Sequence, residues 1–338
     1  MKAAVLKSLG EPLQVETVPD PLPEAAELVV KVSYCGICGT DLHSTREGPF
    51  AAECDSILGH EFCGHVAEVG SGLKGQWEIG DRVTALPFIG CGVCVSCVNG
   101  RPFECVQVKL TGMNSPGGFA EYVKTGASET LKLPDDLAMQ SAALIEPLAV
   151  GLHAVRIAQL KAGERVLIIG GGPVGLAVSL WCQFFGARDV LVSEMAEQRL
   201  ALATQLGATG TLTPGSTLGE EFGDVSGAAP DVIFECVGAP GLLQQTIEIA
   251  PRRSRIVPVG VCEQPDTILP LQALMKELRL YFAIAYTRQD FEMVIAMLGQ
   301  GRIDATAMIT DVVKLDDMPA AFEALRSPTT QCKVLTEL

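Results

Sequence analysis

The chain has 338 residues, 48% of them apolar, enough for about two domains with cores of their own. Its 40 acidic against 25 basic residues give a net charge of −15. That balance repels phosphate backbones, so we expect no nucleic-acid partner and no anionic membrane. The opening MKAAVLKSLGEPLQ has neither the long apolar run nor the small-residue cleavage site of a secretory signal. Twelve cysteines without such a signal favour a reducing, cytoplasmic compartment, and metal binding over disulfides.

Residues 1–130 carry short alternating runs (KAAVLKS, ELVVKVSY, HVAEVGSG, DRVTALPF, FAEYVKT) punctuated by Gly and Pro, the pattern of a β-rich domain. Inside it lie GICGTDLH at 36–43 and LGHEFCGH at 58–65. Cys38 and His60 pair a thiolate with an imidazole, a mixed donor set suited to catalytic zinc. Glu61, and Glu146 in AALIEPLAVG, are candidate carboxylate ligands. Two or three protein ligands leave a position for water or a substrate oxygen.

Further on, Cys91, Cys94, Cys97 and Cys105 read C-x2-C-x2-C-x7-C. Four thiolates so spaced can close a tetrahedral shell around zinc, and a closed shell reads as structural. Cys35 reads as a packed strand residue, His65 as ordinary and His153 as a packing residue or a support for the ligands. The scattered cysteines read as small hydrophobes. Phe50, Phe88, Phe119 and Ile284 are candidates to line an apolar substrate cleft.

After Leu133 the texture turns helical through DLAMQSAALIEPLAVGLHAVRIAQL. From Glu164 to Ile284, apolar strands (ERVLIIG, DVLVSE, DVIFECVG, RIVPVGV) alternate with helix patterns, which indicates a doubly wound parallel sheet. The run 166–187 is free of charge for 22 positions, but Gly170–Pro173 breaks it into a strand and a helix, so we do not read it as a membrane span. Two further helical patterns, DFEMVIAMLGQG and DMPAAFEALRS, precede the final strand KVLTEL.

Gly170-x-Gly172-x-x-Gly175 follows ERVLII and opens a helix through Pro173 and Val174, the context in which such a loop carries a pyrophosphate. Glu194 ends the next strand, 19 residues after Gly175. A carboxylate there accepts ribose hydroxyls and repels a 2′-phosphate, favouring NAD over NADP; the competing role is a cap for the next helix, and nearby Arg199 softens the discrimination.

GICGTDLH, LGHEFCG, the four-cysteine lobe, IEPLAVGLHA and GGGPVG resemble, in order, the zinc-containing medium-chain alcohol and polyol dehydrogenases along nearly the whole chain. The resemblance implies an α/β architecture. A GroES-like β-rich catalytic domain would occupy 1–147 and 286–338, with a structural zinc lobe at 88–108. A Rossmann domain would occupy 148–285. It implies two zinc ions: one on Cys38, His60, Glu61 and Glu146, one on Cys91, Cys94, Cys97 and Cys105. Glu146 stands where liver-type alcohol dehydrogenases have cysteine and polyol and butanediol dehydrogenases have glutamate. The resemblance makes Asp41 the residue that orients a ligand imidazole, against the alternative of a helix cap. It makes Thr40 and His43 a proton relay by way of the nicotinamide ribose. Val237, Gly238, Val259 and Val261 would line the cofactor.

The expected function is NAD-dependent hydride transfer from a secondary alcohol or small diol, giving the ketone, with polyol or L-threonine dehydrogenation as alternatives. A zinc-stabilised nucleotide-binding protein without catalysis is the reading from another class. The expected assembly is a homodimer or homotetramer.

Overall fold

The computed structural model describes residues 1–73, 75–327 and 330–338, in two compact units. The first comprises Met1–Glu146, Thr287–Arg302 and Ile309–Leu338. Its main sheet runs, edge to edge, Thr130–Lys132, Arg82–Ala85, Glu61–Val69, Glu27–Gly36, Lys333–Glu337 and Ile309–Lys314, with Tyr122–Gly126 also paired to Glu27–Gly36. A smaller sheet sets Lys2–Leu6 between Gln14–Thr17 and Ser56–Ile57. Leu6, Leu28, Val30, Phe62, Phe119 and Phe322 belong to one core cluster, with the Phe119 and Phe322 rings edge to face at 6.4 Å. Phe119 is therefore fully buried core, not the lining of a substrate cleft.

One register decides the chemistry of this unit. Glu61 lies opposite Gly36 on the neighbouring antiparallel strand. The C-terminal strand pairs on the other side, with Leu335 opposite Gly36 and the Ile37 N–H donating to the Val334 carbonyl at 3.0 Å. A segment about 300 positions away in sequence thus delivers Lys333 beside Cys38 and Glu61.

The second unit comprises Pro147–Tyr286 and Ile303–Met308. The short segment 303–308 groups here rather than with the first unit, because its turn Thr306–Met308 packs on the helix Glu197–Gln205. Six parallel strands run in the order Gly210–Leu212, Asp189–Ser193, Arg165–Ile169, Val232–Glu235, Arg255–Pro258, Arg279–Leu280. The sequence order reverses between Arg165–Ile169 and Val232–Glu235, the switch point of a doubly wound sheet. Val166, Leu167 and Ile168 are fully buried, as strands covered on both faces must be.

The charge-free run resolves into the strand Arg165–Ile169, a glycine turn and the helix Pro173–Phe184. Among the described residues no helix is long and apolar enough to cross a membrane. The helical stretch before it is two helices, Met139–Ala142 and Ile145–Ile157. Pro147 falls in the first turn of the second, where a missing N–H costs no bond.

Candidate active site

The helix Gly39–Ser44 starts at Cys38, and Asp41 is its third residue. One Asp41 oxygen accepts from the Cys38 N–H at 2.9 Å; the other accepts from the Gly59 N–H at 3.1 Å and sits 3.4 Å from His60 Nδ1. Asp41 therefore accepts from the N–H at the start of its helix, in a capping box, and also faces the imidazole. Gly59 has φ +93, and a Cβ there would meet the Phe119 ring at 2.7 Å and Cys35 Sγ at 2.9 Å, so the turn presenting His60 requires glycine.

Cys38 Sγ, a His60 ring nitrogen and a Glu61 oxygen lie within 4.8 Å of one another. Ligands at about 2.0–2.3 Å from a tetrahedral zinc stand about 3.3–3.8 Å apart, so the three can close on one ion. Glu146 is buried but outside this grouping. Thr40 and His43, three positions apart on the same helix, share a face and are half-buried. Burial opposes charge on His60, yet the charges of Asp41 and Cys38 raise its pKa well above the usual value. Burial, with the charges of Asp41 and Glu61, keeps Cys35 a neutral thiol, and burial pushes Cys63 up to about 12.

Lys333 is the residue that the sequence did not signal. Its ammonium lies 2.6 and 2.7 Å from the two Glu61 oxygens and 3.1 Å from the Ile37 carbonyl. Both side chains are essentially inaccessible, at 2% and 1%. Burial alone would lower the Lys333 pKa, but Glu61, Cys38 and Glu146 together raise it above the usual lysine value. A Cβ at Gly36 would fall 2.1 Å from Glu61 Oε2, so that glycine makes room for the carboxylate.

Cys91, Cys94, Cys97 and Cys105 form the second cluster, their sulfurs also within 4.8 Å of one another. The strands Phe88–Ile89 and Lys109–Leu110 close its lobe, where Phe88 packs on Phe103 at 5.9 Å. The backbone N–H groups of Val93 and Cys94 hold the Cys91 thiolate, lowering its pKa to about 6, while burial pushes Cys97 up to about 12. Four sulfurs and no other donor match a closed structural zinc shell.

In the second unit Gly170 has φ +100, and a Cβ on Gly175 would lie 1.9 Å from the Gly170 carbonyl oxygen. Gly172 has open space at its Cβ position and precedes Pro173 at the helix start, where Val174 is half-exposed. Glu194 Oε2 accepts from the Gly171 N–H at 3.0 Å and lies 3.6 Å from Arg199 Nη1. Its Oε1 accepts from the N–H groups of Met195 and Ala196 at 2.7 and 3.1 Å. Glu194 thus ties the glycine loop to the turn before the next helix. Val237 and Gly238 donate to Glu235 Oε1 at 2.7 and 2.8 Å. Gly238 packs against Val261, and Val259 follows Arg255–Pro258 directly. These loops gather at the carboxyl ends of the strands flanking the switch point, where such sheets bind ligands.

The alcohol dehydrogenase GroES-like domain family matches residues 24–135, and the zinc-binding dehydrogenase family matches 173–300. The chain is 33% identical to (R,R)-butanediol dehydrogenase of Bacillus subtilis strain 168 over 338 residues, 96% of each chain. A short chain alcohol dehydrogenase from E. coli CFT073, solved with NADH, superposes with TM-score 0.92 at 29% identity, over 100% of this chain and 99% of that one. A zinc-binding dehydrogenase from Sinorhizobium meliloti 1021, solved with NADP, gives 0.88 at 33% identity, over 100% and 99%. Fold and sites define a zinc-binding dehydrogenase with a GroES-like and a Rossmann domain. The chain belongs to the zinc-containing medium-chain alcohol and polyol dehydrogenases, and is an oxidoreductase acting on alcohol groups.

Proposed function

We propose that the chain oxidises a secondary alcohol or small diol to the ketone with NAD as hydride acceptor, and that it carries two zinc ions. The observation that carries this is the cluster of Cys38, His60 and Glu61, whose mixed donors leave a tetrahedral position for a substrate oxygen. Zinc held there would supply Lewis acidity that favours the alkoxide form of the alcohol, and NAD would supply the hydride acceptor.

The chain's own residues do the rest. Asp41 fixes the His60 ring, so the other ring nitrogen meets the donor set. Thr40 accepts the alcohol proton, and His43 on the same helix face moves it toward solvent. Glu146, outside the direct donor set, acts through water. Cys91, Cys94, Cys97 and Cys105 hold the second zinc and order the lobe at 88–108. The catalytic domain is assigned to 1–147 and 286–338, and the Rossmann domain to 148–285. The twelve free cysteines support a cytoplasmic location.

The preference for NAD rests on Glu194, whose carboxylate is fixed by three backbone N–H groups beside the glycine loop. Rates across a panel of secondary alcohols, diols and polyols, read by cofactor absorbance, should be higher with NAD than with NADP. Glu194→Ser frees Arg199 and removes the repulsion, so the NADP-to-NAD ratio of kcat/KM should rise by about tenfold or more. A wild type that prefers NADP sinks this assignment.

We assign the assembly to the open edge of the parallel sheet. Tyr281 and Ala283 donate inward to the Ile256 and Pro258 carbonyls at 3.0 and 3.1 Å, so the alternate backbone groups face outward. Phe282 and Ile284 are 69% and 68% exposed there, beside exposed Leu271, Leu274 and Met275 of the helix Pro270–Met275. An apolar edge of this kind invites pairing with a second copy. Light scattering should report a dimer or tetramer, and the double substitution Phe282→Glu with Ile284→Glu should yield monomers. A monomeric wild type contradicts the assignment.

A further inference from the structure

We propose that Lys333 is a positioning residue that keeps Glu61 a detachable ligand, and so sets how fast metal leaves the Cys38–His60–Glu61 site. This rests on the reading of that cluster as a zinc site. Lys333 spends its three N–H donors on Glu61 Oε1, Glu61 Oε2 and the Ile37 carbonyl, which leaves the ammonium no freedom to turn elsewhere. Each Glu61 oxygen keeps a lone pair for a metal, but gives it from a carboxylate already polarised by a buried cation. Gly36 and the Lys333 ammonium together fix where that carboxylate sits. Cys38, Glu61 and Glu146 set negative charge around the Lys333 ammonium, which pairs directly with Glu61. The ammonium opposes a dication at the same carboxylate. Removing it should make Glu61 a stronger ligand for metal, and a costlier buried charge without metal.

The test uses the whole zinc-loaded protein and a chromogenic chelator, with Cys38→Ser as the reference for release from the lobe alone. Lys333→Met should release the second zinc about tenfold more slowly than wild type, a shift on the scale of other outer-shell partners but opposite in sign. Lys333→Arg, which keeps the charge, should release at close to the wild-type rate. After stripping, Lys333→Met should melt further below wild type than it does when loaded. If Lys333→Met does not fold, Lys333→Gln carries the same expectation, since its amide keeps two of the three donors and loses the charge. Two zinc ions in wild type with unchanged or faster release from the neutral variant overturn this inference and leave the site reading intact. Zinc in the lobe alone overturns both.

Discussion

Cys38→Ser should leave a folded chain that binds one zinc in place of two and turns over roughly a thousandfold more slowly. The fold survives because position 38 begins the helix Gly39–Ser44, and serine is among the best residues to begin one. The bond from the Cys38 N–H to Asp41 belongs to the backbone and is unaffected by the exchange. The metal is lost because a neutral hydroxyl replaces a thiolate in a set of three donors. Metal Lewis acidity is worth several kcal/mol, and about 1.4 kcal/mol is a factor of ten in rate, which sets the expected loss. Metal analysis, a melting curve and the alcohol panel read the three consequences separately. Full activity in this variant sinks zinc-assisted oxidation whatever the metal count. The lobe provides the contrast. Its four sulfurs group within their own loop and would close a shell without Cys38, so losing the ion proposed at Cys38 should leave the one proposed in the lobe in place.

Short-range patterns carried most of this structure. The four cysteines of the lobe lie close in sequence, so residue types and spacing sufficed to group them, whereas Asp41 entered through the family resemblance. The parallel sheet was legible because its strands are continuous apolar runs that must be buried on both faces. What escaped depended on tertiary register. Lys333 is one charge at the head of an apolar strand, and nothing local says that pairing beside Gly36 buries it against a carboxylate 272 positions earlier. The helix Leu218–Ser226 is not among the patterns named from the sequence, and Gly, Pro and Ser flank it. It forms because Leu218 and Phe222, one turn apart, both enter the core, and Gly227 ends it in the left-handed conformation. Glu194 and Asp41 show a third case. Each has two assignable roles: Asp41 accepts from the N–H at the start of its helix, whereas Glu194 closes the turn before the next helix without capping it, since that helix starts at Ala196 with no side-chain cap. Asp41 also reaches the imidazole.

The glycine loop allows binding and folding to be separated by two substitutions three positions apart. Gly175→Ala places a methyl carbon 1.9 Å from the Gly170 carbonyl oxygen, which is backbone and cannot turn aside. The helix must move off its strand, at a cost on the order of 1–3 kcal/mol, so both melting temperature and cofactor binding should fall. Gly172 differs. Its φ of −73 suits any residue, and nothing lies within 4 Å of a Cβ built there. Alanine is a poorer helix N-cap than glycine by about 1 kcal/mol, and the stiffer unfolded chain returns about 0.4–1 kcal/mol at a φ that alanine adopts freely, so the two nearly cancel in the free protein. A pyrophosphate seated on the helix N-terminus is what that methyl group would obstruct. Gly172→Ala should therefore melt like wild type and bind NADH about tenfold or more weakly by fluorescence titration, each factor of ten being about 1.4 kcal/mol. Equal loss of stability in the two variants would show that both glycines serve packing. Wild-type affinity in Gly172→Ala would remove the loop from the dinucleotide site, because no other feature of position 172 demands glycine.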